Sequence, residues 1–481
     1  MNPLAVLLPG FEGTTLPAWV EQCLSEGMGG VCLFATNVGS PDQLRELTGA
    51  IYAANPHAVI AIDEEGGDVT RLYQAVGSPF PGNAILGRLD DEALTQAVSH
   101  QVGRELAAVG VGMTFAPDAD VNSTAFNPVI GVRSFSADPD VASRHTAAWV
   151  RGVEATGVAS CAKHFPGHGS TVQDSHHSLP RIDVDPETLD QRELPPFAAA
   201  IAAGGRAIMS SHIMVPALDS RLPATFSRAI LRAVLRDRMG FGGVVVSDAL
   251  DMAGASAGRG IPAAAVAALG GGCDLLCIGT ANTEDQMRRI ATAIGDAIAS
   301  GDLDPEEASA AQARVARLGR DLADARSASS GSAALVAGQV PEVSPGVVAR
   351  AFAVSERAHA LLAPARPRTL IRIETEPSMA VGPSPWGPFA SPGVDAAVTV
   401  TTESDLARAA AEVPAGSLAV VIGRDNHRHG LARSVVDALS PHHDVVTVDM
   451  GWPDADAGLA DIATFGASRL AGVALLDLLG R

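Results

Sequence analysis

The sequence lacks the features that mark several large classes of protein. No stretch approaches the roughly 20 apolar residues needed to span a bilayer. Cysteines number five in 481 residues (Cys23, Cys32, Cys161, Cys273 and Cys277), too few and too scattered for a disulfide framework. Cys273 and Cys277 have the wrong spacing for a redox pair and share one apolar run, where a thiol behaves as a small core residue. Positive charge is also scarce: 34 Lys and Arg face 54 Asp and Glu, for a net charge of −20. Such a surface repels a phosphate backbone and no basic patch offsets it, which argues against a nucleic-acid partner. The first ten residues carry no basic region and break at Pro9-Gly10 before a signal-peptide core could form. The expected location is therefore the cytoplasm, with no membrane attachment. No His-Glu-x-x-His motif, Cys/His zinc spacing or Gly-x-Ser-x-Gly elbow is present, so neither a metal, a cofactor nor a serine nucleophile is expected.

What remains is a packed globular chain, 47% hydrophobic and 18% charged, long enough for two domains. Short apolar runs alternate with helical patterns. Strands are predicted at Leu4–Leu8, Gly30–Phe34, Ala58–Ile62, Gly112–Ala116, Gly157–Ala162, Arg206–Met209, Gly243–Val246 and Cys273–Ile278. Between them lie helix candidates such as Pro41–Ala53, Asp91–Val109, Pro139–Ala155, Pro186–Ala203, Ser227–Met239 and Glu284–Ile298. Near-continuous apolar strands separated by helices indicate a parallel sheet. Eight such units in about 300 residues predict a closed (β/α)8 barrel over residues 1–325.

A Ser-rich stretch from Arg326 and the turn residues Pro341 and Pro345 suggest a linker over 326–345. Beyond it, strands are predicted at Thr369–Ile373, Ala397–Thr401, Ser417–Ile422 and Asp444–Val448. Residues 346–481 thus read as a smaller three-layer α/β domain, with a long loop at Val381–Gly393. The segment Gly423-Arg-Asp-Asn-His-Arg-His-Gly430 reads as a solvated loop. Nothing in the sequence sets an oligomeric state.

Ionisable residues gather where the barrel strands end. Asp63 follows the third predicted strand, Asp118 and Asp120 the fourth, Lys163-His164 the fifth, Ser210-Ser211-His212 the sixth and Asp248 the seventh. In a barrel these ends share one rim, where active sites of this architecture lie. The densest group is Lys163–Pro180, with His164, His168, His176 and His177. A surface loop of satisfied polar groups is the plain alternative, but so many ionisable groups leaving a buried strand suit a catalytic site.

Asp248 directly follows a buried strand and reads as a helix cap or a catalytic carboxylate; its neighbours on the rim favour catalysis. Asp251 is expected to face away or to cap. Asp174-Ser175-His176 places a carboxylate two residues before an imidazole. That carboxylate can fix the ring's tautomer and raise the basicity of the other nitrogen, making a proton donor and acceptor near neutral pH. Gly167 and Gly169 let the loop turn.

Lys163-His-Phe-Pro-Gly-His-Gly169 followed by Asp174-Ser-His176 resembles the signature of glycoside hydrolase family 3 β-N-acetylglucosaminidases, as found in bacterial peptidoglycan recycling. Ala61-Ile-Asp-Glu-Glu-Gly-Gly67 with Arg71, Asn127 to Phe135, and Ser247-Asp-Ala-Leu-Asp-Met252 agree. The resemblance spans roughly residues 3 to 300; beyond residue 340 it is one of domain pattern. It implies a retaining exo-glycosidase acting on a small carbohydrate substrate. On that resemblance Asp248 matches the nucleophile, and His176 paired with Asp174 matches the mobile acid/base. Asp63, Arg71, Arg133, Lys163 and His164 match residues that hold the terminal sugar. Relatives often carry a polar amide at the position of Glu64, and some place loops of the second domain over the barrel mouth.

A close variant is phosphorolysis of the same glycosides, because a histidine acid/base repels an incoming phosphate less than a carboxylate does. A metal-dependent hydrolase and a non-catalytic sugar-binding barrel are the readings from other classes. The aglycone is not legible.

Overall fold

Inward and outward positions alternate along the strands of the first sheet, as the two-residue period of a strand requires. In a computed structural model of the chain, which describes residues 1–173, 179–256, 258–329, 340 and 343–481, eight strands form this sheet. They are β1 (Leu7–Pro9), β2 (Gly30–Leu33), β3 (Val59–Ile62), β4 (Met113–Thr114), β5 (Ala159–Phe165), β6 (Ala207–Ser210), β7 (Val244–Ser247) and β8 (Leu275–Gly279). All pair in parallel in the order β1-β8-β7-β6-β5-β4-β3-β2. The two ends of that order, β1 and β2, lie against one another, so the sheet curls into a nearly closed barrel.

Leu8, Cys32, Ala61, Met113, Cys161, Met209, Val246 and Cys277 fill the barrel interior. Their strand neighbours Leu33, Ile62, Ala162, Ile208, Val245 and Ile278 face outward into the layer beneath the helices. Several helices begin as their sequences dictate. Ser40 accepts from Gln43 N ahead of Pro41–Ala54, and Asp91 accepts from Leu94 N ahead of Glu92–Ala108, satisfying orphan N–H groups. The predicted single helix over 186–203 is interrupted: a short helical segment ends near Leu194 and a new helix, Pro195–Ala202, starts at a Pro-Pro pair. Proline supplies no N–H to carry the earlier helix onward.

All but β2 start one to three residues later than the apolar runs suggested, and β2 and β4 end earlier than expected. The largest difference at a strand end is in β5, which continues three residues further, to Phe165. Lys163 and His164 are therefore strand residues and not the start of a loop.

The helix Pro305–Ser329 extends into the Ser-rich stretch. A second sheet then follows: β9 (Ala353–Val354), β10 (Arg368–Ile373), β11 (Val398–Val400), β12 (Leu418–Gly423), β13 (Val445–Asp449) and β14 (Ile462–Ala463), in the order β11-β10-β12-β13-β14-β9. Only β9 runs antiparallel. Leu370, Val420 and Val448 face one apolar layer, and Ile371, Val421 and Val445 the other, giving helices on both faces. The strand β9 and its partner β14 have two residues each, too short for a periodic signal. Among the described residues no helix is long and apolar enough to cross a membrane.

Candidate active site

The inward alternation of three barrel strands continues past their apolar residues into charged ones. After Val59 and Ala61 the next inward position is Asp63; after Ala159 and Cys161 it is Lys163; after Val244 and Val246 it is Asp248. All three line one cavity of about 620 Å³ at the ends of the strands, together with Glu65, Arg71, Arg133, His164 and His168. A cavity of that volume suits a small ligand. Of the residues expected at one rim, Asp63, Lys163, His164 and Asp248 line this cavity, whereas Asp118, Asp120 and Ser210 to His212 do not.

Lys163 Nζ lies 2.7 Å from Asp63 Oδ1 and 2.7 Å from Glu65 Oε1, and its side chain is almost wholly buried. Burial opposes its charge, but the two carboxylates prevail and push Lys163 up to about 12. Burial likewise opposes ionisation of Asp63; Lys163 and Arg71 outweigh it and hold Asp63 below its ordinary value. Arg71 Nη2 stands 3.9 Å from Asp63 Oδ2. Asp63 is thus a carboxylate kept ionised, with its remaining acceptor capacity toward the cavity.

Arg133 is gripped by Glu65 through two bonds, Nη2 to Oε1 at 2.8 Å and Nε to Oε2 at 3.0 Å. It also donates to Val129 O and lies 3.5 Å from Asp118 Oδ2. Glu65 was not singled out from the sequence. Its signal was there, since residues 63 and 65 fall on the same side of an extended chain.

His164 Nδ1 lies 2.7 Å from Asp120 Oδ2, and its Nε2 lies 3.5 Å from Arg133 Nη2. Burial, with Arg133 and Lys163 nearby, lowers His164 to about 3. The ring is neutral at physiological pH, with the Nδ1 proton directed at Asp120 and Nε2 left as an acceptor. The Lys163–His164 peptide is cis, and both side chains reach the cavity wall. His168 is also buried and lowered to about 3; its backbone N donates to Asp120 Oδ1 at 2.7 Å. Asp120, which also accepts from His164 N, is pushed up to about 7 by burial. Asp120 and His168, which the sequence placed at the rim without a role, are thus supports of the site.

Gly167 has φ +126°, in the region that favours glycine. A Cβ at Gly169 would overlap the Val121 carbonyl. These glycines allow a turn and a close approach, respectively. Asp174, His176 and His177 lie outside the described residues.

Asp248 Oδ1 accepts from Ala249 N at 2.8 Å. Asp251, expected to face away or to cap, does accept a backbone N–H, that of Thr280 at 3.0 Å, but it does so from the cavity wall. Asp118, Asp120 and His164 have ligand-type atoms within 4.8 Å of one another. Arg133 beside Asp118 already supplies positive charge there, so the trio is suited to an internal ion-pair network more than to a metal ion.

The second sheet contributes to the wall. Met379 and Ala380, from the loop after β10, line the cavity. The polar loop after β12 is not simply solvated. His427 Nε2 lies 2.9 Å from Ala125 O, its ring meets Phe126 edge-on, and Arg428 donates to Asn127 O. None of residues 424–430 is among the cavity's lining residues.

Residues 15–318 match the family model described as the glycosyl hydrolase family 3 N terminal domain. The chain is 38% identical over 331 residues to beta-hexosaminidase A of Pseudoalteromonas piscicida, a match covering 63% of this chain and 55% of that protein, so it spans only about half of that relative. It is 40% identical over 258 residues to the beta-hexosaminidase of Chromobacterium violaceum, covering 52% of this chain and 71% of that one. A family 3 beta-N-acetylglucosaminidase structure from Paenibacillus sp. str. FPU-7 is similar over 100% of this chain and 96% of its own, with a TM-score of 0.86 at 28% identity.

Proposed function

The chain belongs to glycosyl hydrolase family 3 and is a glycoside hydrolase; from that premise we propose that it is a retaining, exo-acting β-N-acetylglucosaminidase. The observation that carries the proposal is the shared inward placement of Asp248, Asp63 and Lys163 around one cavity. In this reading the buried ion pair holds a terminal sugar through Asp63, and Arg71, Arg133 and His164 complete its cradle. Asp248 then attacks the anomeric carbon, forming a glycosyl ester as the bond to the leaving oxygen breaks. His176, oriented by Asp174, protonates that oxygen and afterwards takes a proton from the water that cleaves the ester. Covalent catalysis divides one difficult displacement into two easier ones.

The names of the relatives support the hexosaminidase activity. The roles of Asp174 and His176 rest on the sequence motif. His164 is a poorer candidate for the proton donor, since at about 3 it is unprotonated near neutral pH. The proposal includes peptidoglycan-derived glycosides as substrates and the cytoplasm as the site of action.

A panel of aryl N-acetylglucosaminide, glucoside and xyloside substrates tests the sugar, and NMR of the first-formed product tests retention. An activated fluorosugar should label Asp248, and Asp248→Ala should take no label, lose nearly all turnover and still bind N-acetylglucosamine. Inverted product or a label elsewhere would overturn the mechanism. Sugar 1-phosphate formed in phosphate buffer would convert the reading to phosphorolysis.

A further inference from the structure

Of the five sulfur side chains in the cavity wall, three belong to barrel strands and have no part in the glycosidase chemistry: the thiols of Cys32 and Cys277 and the thioether of Met209. They come from β2, β8 and β6, and each is an inward-facing residue of its strand. Cys32 and Cys277 lie on the two strands that flank β1. The Cys277 thiol is close enough to the Cys32 thiol to push it well above its ordinary value, together with burial, and both side chains line the same cavity. Cys277 keeps 3% of its surface exposed, whereas Cys32 is wholly buried. An agent entering the cavity would therefore meet Cys277 first.

The backbone spacing limits what this pair can become. Neighbouring strands are about 4.8 Å apart, so positions separated by one intervening strand are roughly 9–10 Å apart at Cα. A disulfide tolerates no more than about 7 Å. A single ion held between two sulfurs spans the greater distance without moving either strand.

We propose that Cys32 and Cys277 form a binding site for a thiophilic d10 cation, copper(I) or silver(I), whose occupancy blocks the sugar pocket. Each metal–sulfur bond forms as an S–H bond is lost, with both protons passing to solvent and no electron transferred. Two soft thiolates select such ions over hard ones, and the Met209 thioether offers a further soft donor in the same cavity. Zinc requires about four ligands. Among the described residues the one group of three His, Cys, Asp or Glu ligands within 4.8 Å is Asp118, Asp120 and His164, which contains neither thiol.

Occupancy interferes with sugar binding because the ion would sit in the cavity wall shared with Asp63. Asp63 is close enough to act electrostatically on Cys32. A monovalent ion bound by two thiolates adds one net negative charge beside that carboxylate.

Silver nitrate in chloride-free buffer is the probe, applied to the full chain and read by native mass spectrometry and by the rate of aryl N-acetylglucosaminide cleavage. The wild type should bind one tightly held ion and lose activity as the first equivalent is added. Cys32→Ser and Cys277→Ser should each need about tenfold more silver or worse for the same fractional loss, each compared with its own silver-free rate. Alanine replacements provide a second pair should a serine variant fail to fold. Cys23→Ser should keep the tight ion. The ion count is independent of which glycoside is cleaved, so failure of the site is distinguishable from failure of the substrate assignment. Unchanged silver binding in both Cys32 and Cys277 variants, or loss of the tight ion in Cys23→Ser, would overturn the proposal.

Discussion

Arg71 Nη2 donates to the carbonyl oxygen of Ala380 at 2.8 Å, across 309 residues of sequence. The bond joins the loop after β3 to the loop after β10. The same guanidinium faces Asp63 at 3.9 Å, so one side chain links the second sheet to the ion pair of the cavity. Gln74 reinforces the junction, its Nε2 lying 3.2 Å from Val381 O and 2.7 Å from Pro383 O. The second sheet thus holds a cavity residue in place while contributing Met379 and Ala380 to the wall.

Gln74→Ala removes two of these anchoring bonds without touching the cavity. Each is worth about 0.5–1.5 kcal/mol, and loosening Arg71 should weaken ground-state binding. KM should rise about three- to tenfold with kcat within about twofold. Steady-state kinetics on an aryl glycoside checks this, and an equal fall in kcat would refute it.

Lys163→Met leaves Asp63 and Glu65 buried without their shared cation. Breaking a buried pair on one side costs about 3–5 kcal/mol, measurable by denaturant unfolding at neutral pH. Loss of the positive charge should also raise the pKa of Asp63. If sugar binding requires the Asp63 carboxylate ionised, the acid limb of kcat/KM moves to higher pH in the variant. A limb that stays in place or moves to lower pH would exclude Asp63 from that role.

Glu64 Oε2 accepts from Thr70 Oγ1, Arg71 N and Leu72 N and so shapes the turn that carries Arg71. Burial pushes Glu64 up to about 7 from an ordinary 4.5. A raised carboxyl contributes stability that is fully present below the unfolded value and is lost as pH rises through the folded one. Glu64→Gln does not titrate. Relative to wild type, its unfolding free energy should improve between pH 5 and pH 8, by up to about 3 kcal/mol. Thermal melts across that range would detect it; a pH-independent difference would show that Glu64 is not the titrating group.

Turnover should survive exhaustive chelation, because Arg133 already supplies positive charge to the cluster of Asp118, Asp120 and His164. Activity lost to a chelator and restored by a divalent ion would favour the metal-dependent alternative.

Much of the barrel was legible in the sequence because its signals are local. Apolar runs of four to six residues locate the strands, and Pro41, Asp91 and Glu284 begin helices at or next to where they are found. The strand period also carries information: Asp63, Lys163 and Asp248 each stand two residues after an inward apolar residue, so their meeting in one cavity follows from pattern. Where β5 ends was not legible, since Lys163 and His164 look like loop residues until their charges are seen to be matched by Asp63, Glu65 and Asp120.

The sequence by itself determined the class of fold, the inward positions and the motifs that identify the family, all of which depend on neighbours a few residues apart. Only the tertiary structure decided which charges neutralise one another, that Cys32 and Cys277 share one cavity wall, and that Ala380 holds Arg71. Those contacts join residues tens to hundreds of positions apart. They depend on barrel closure and on how the second sheet meets the barrel, which no local periodicity encodes.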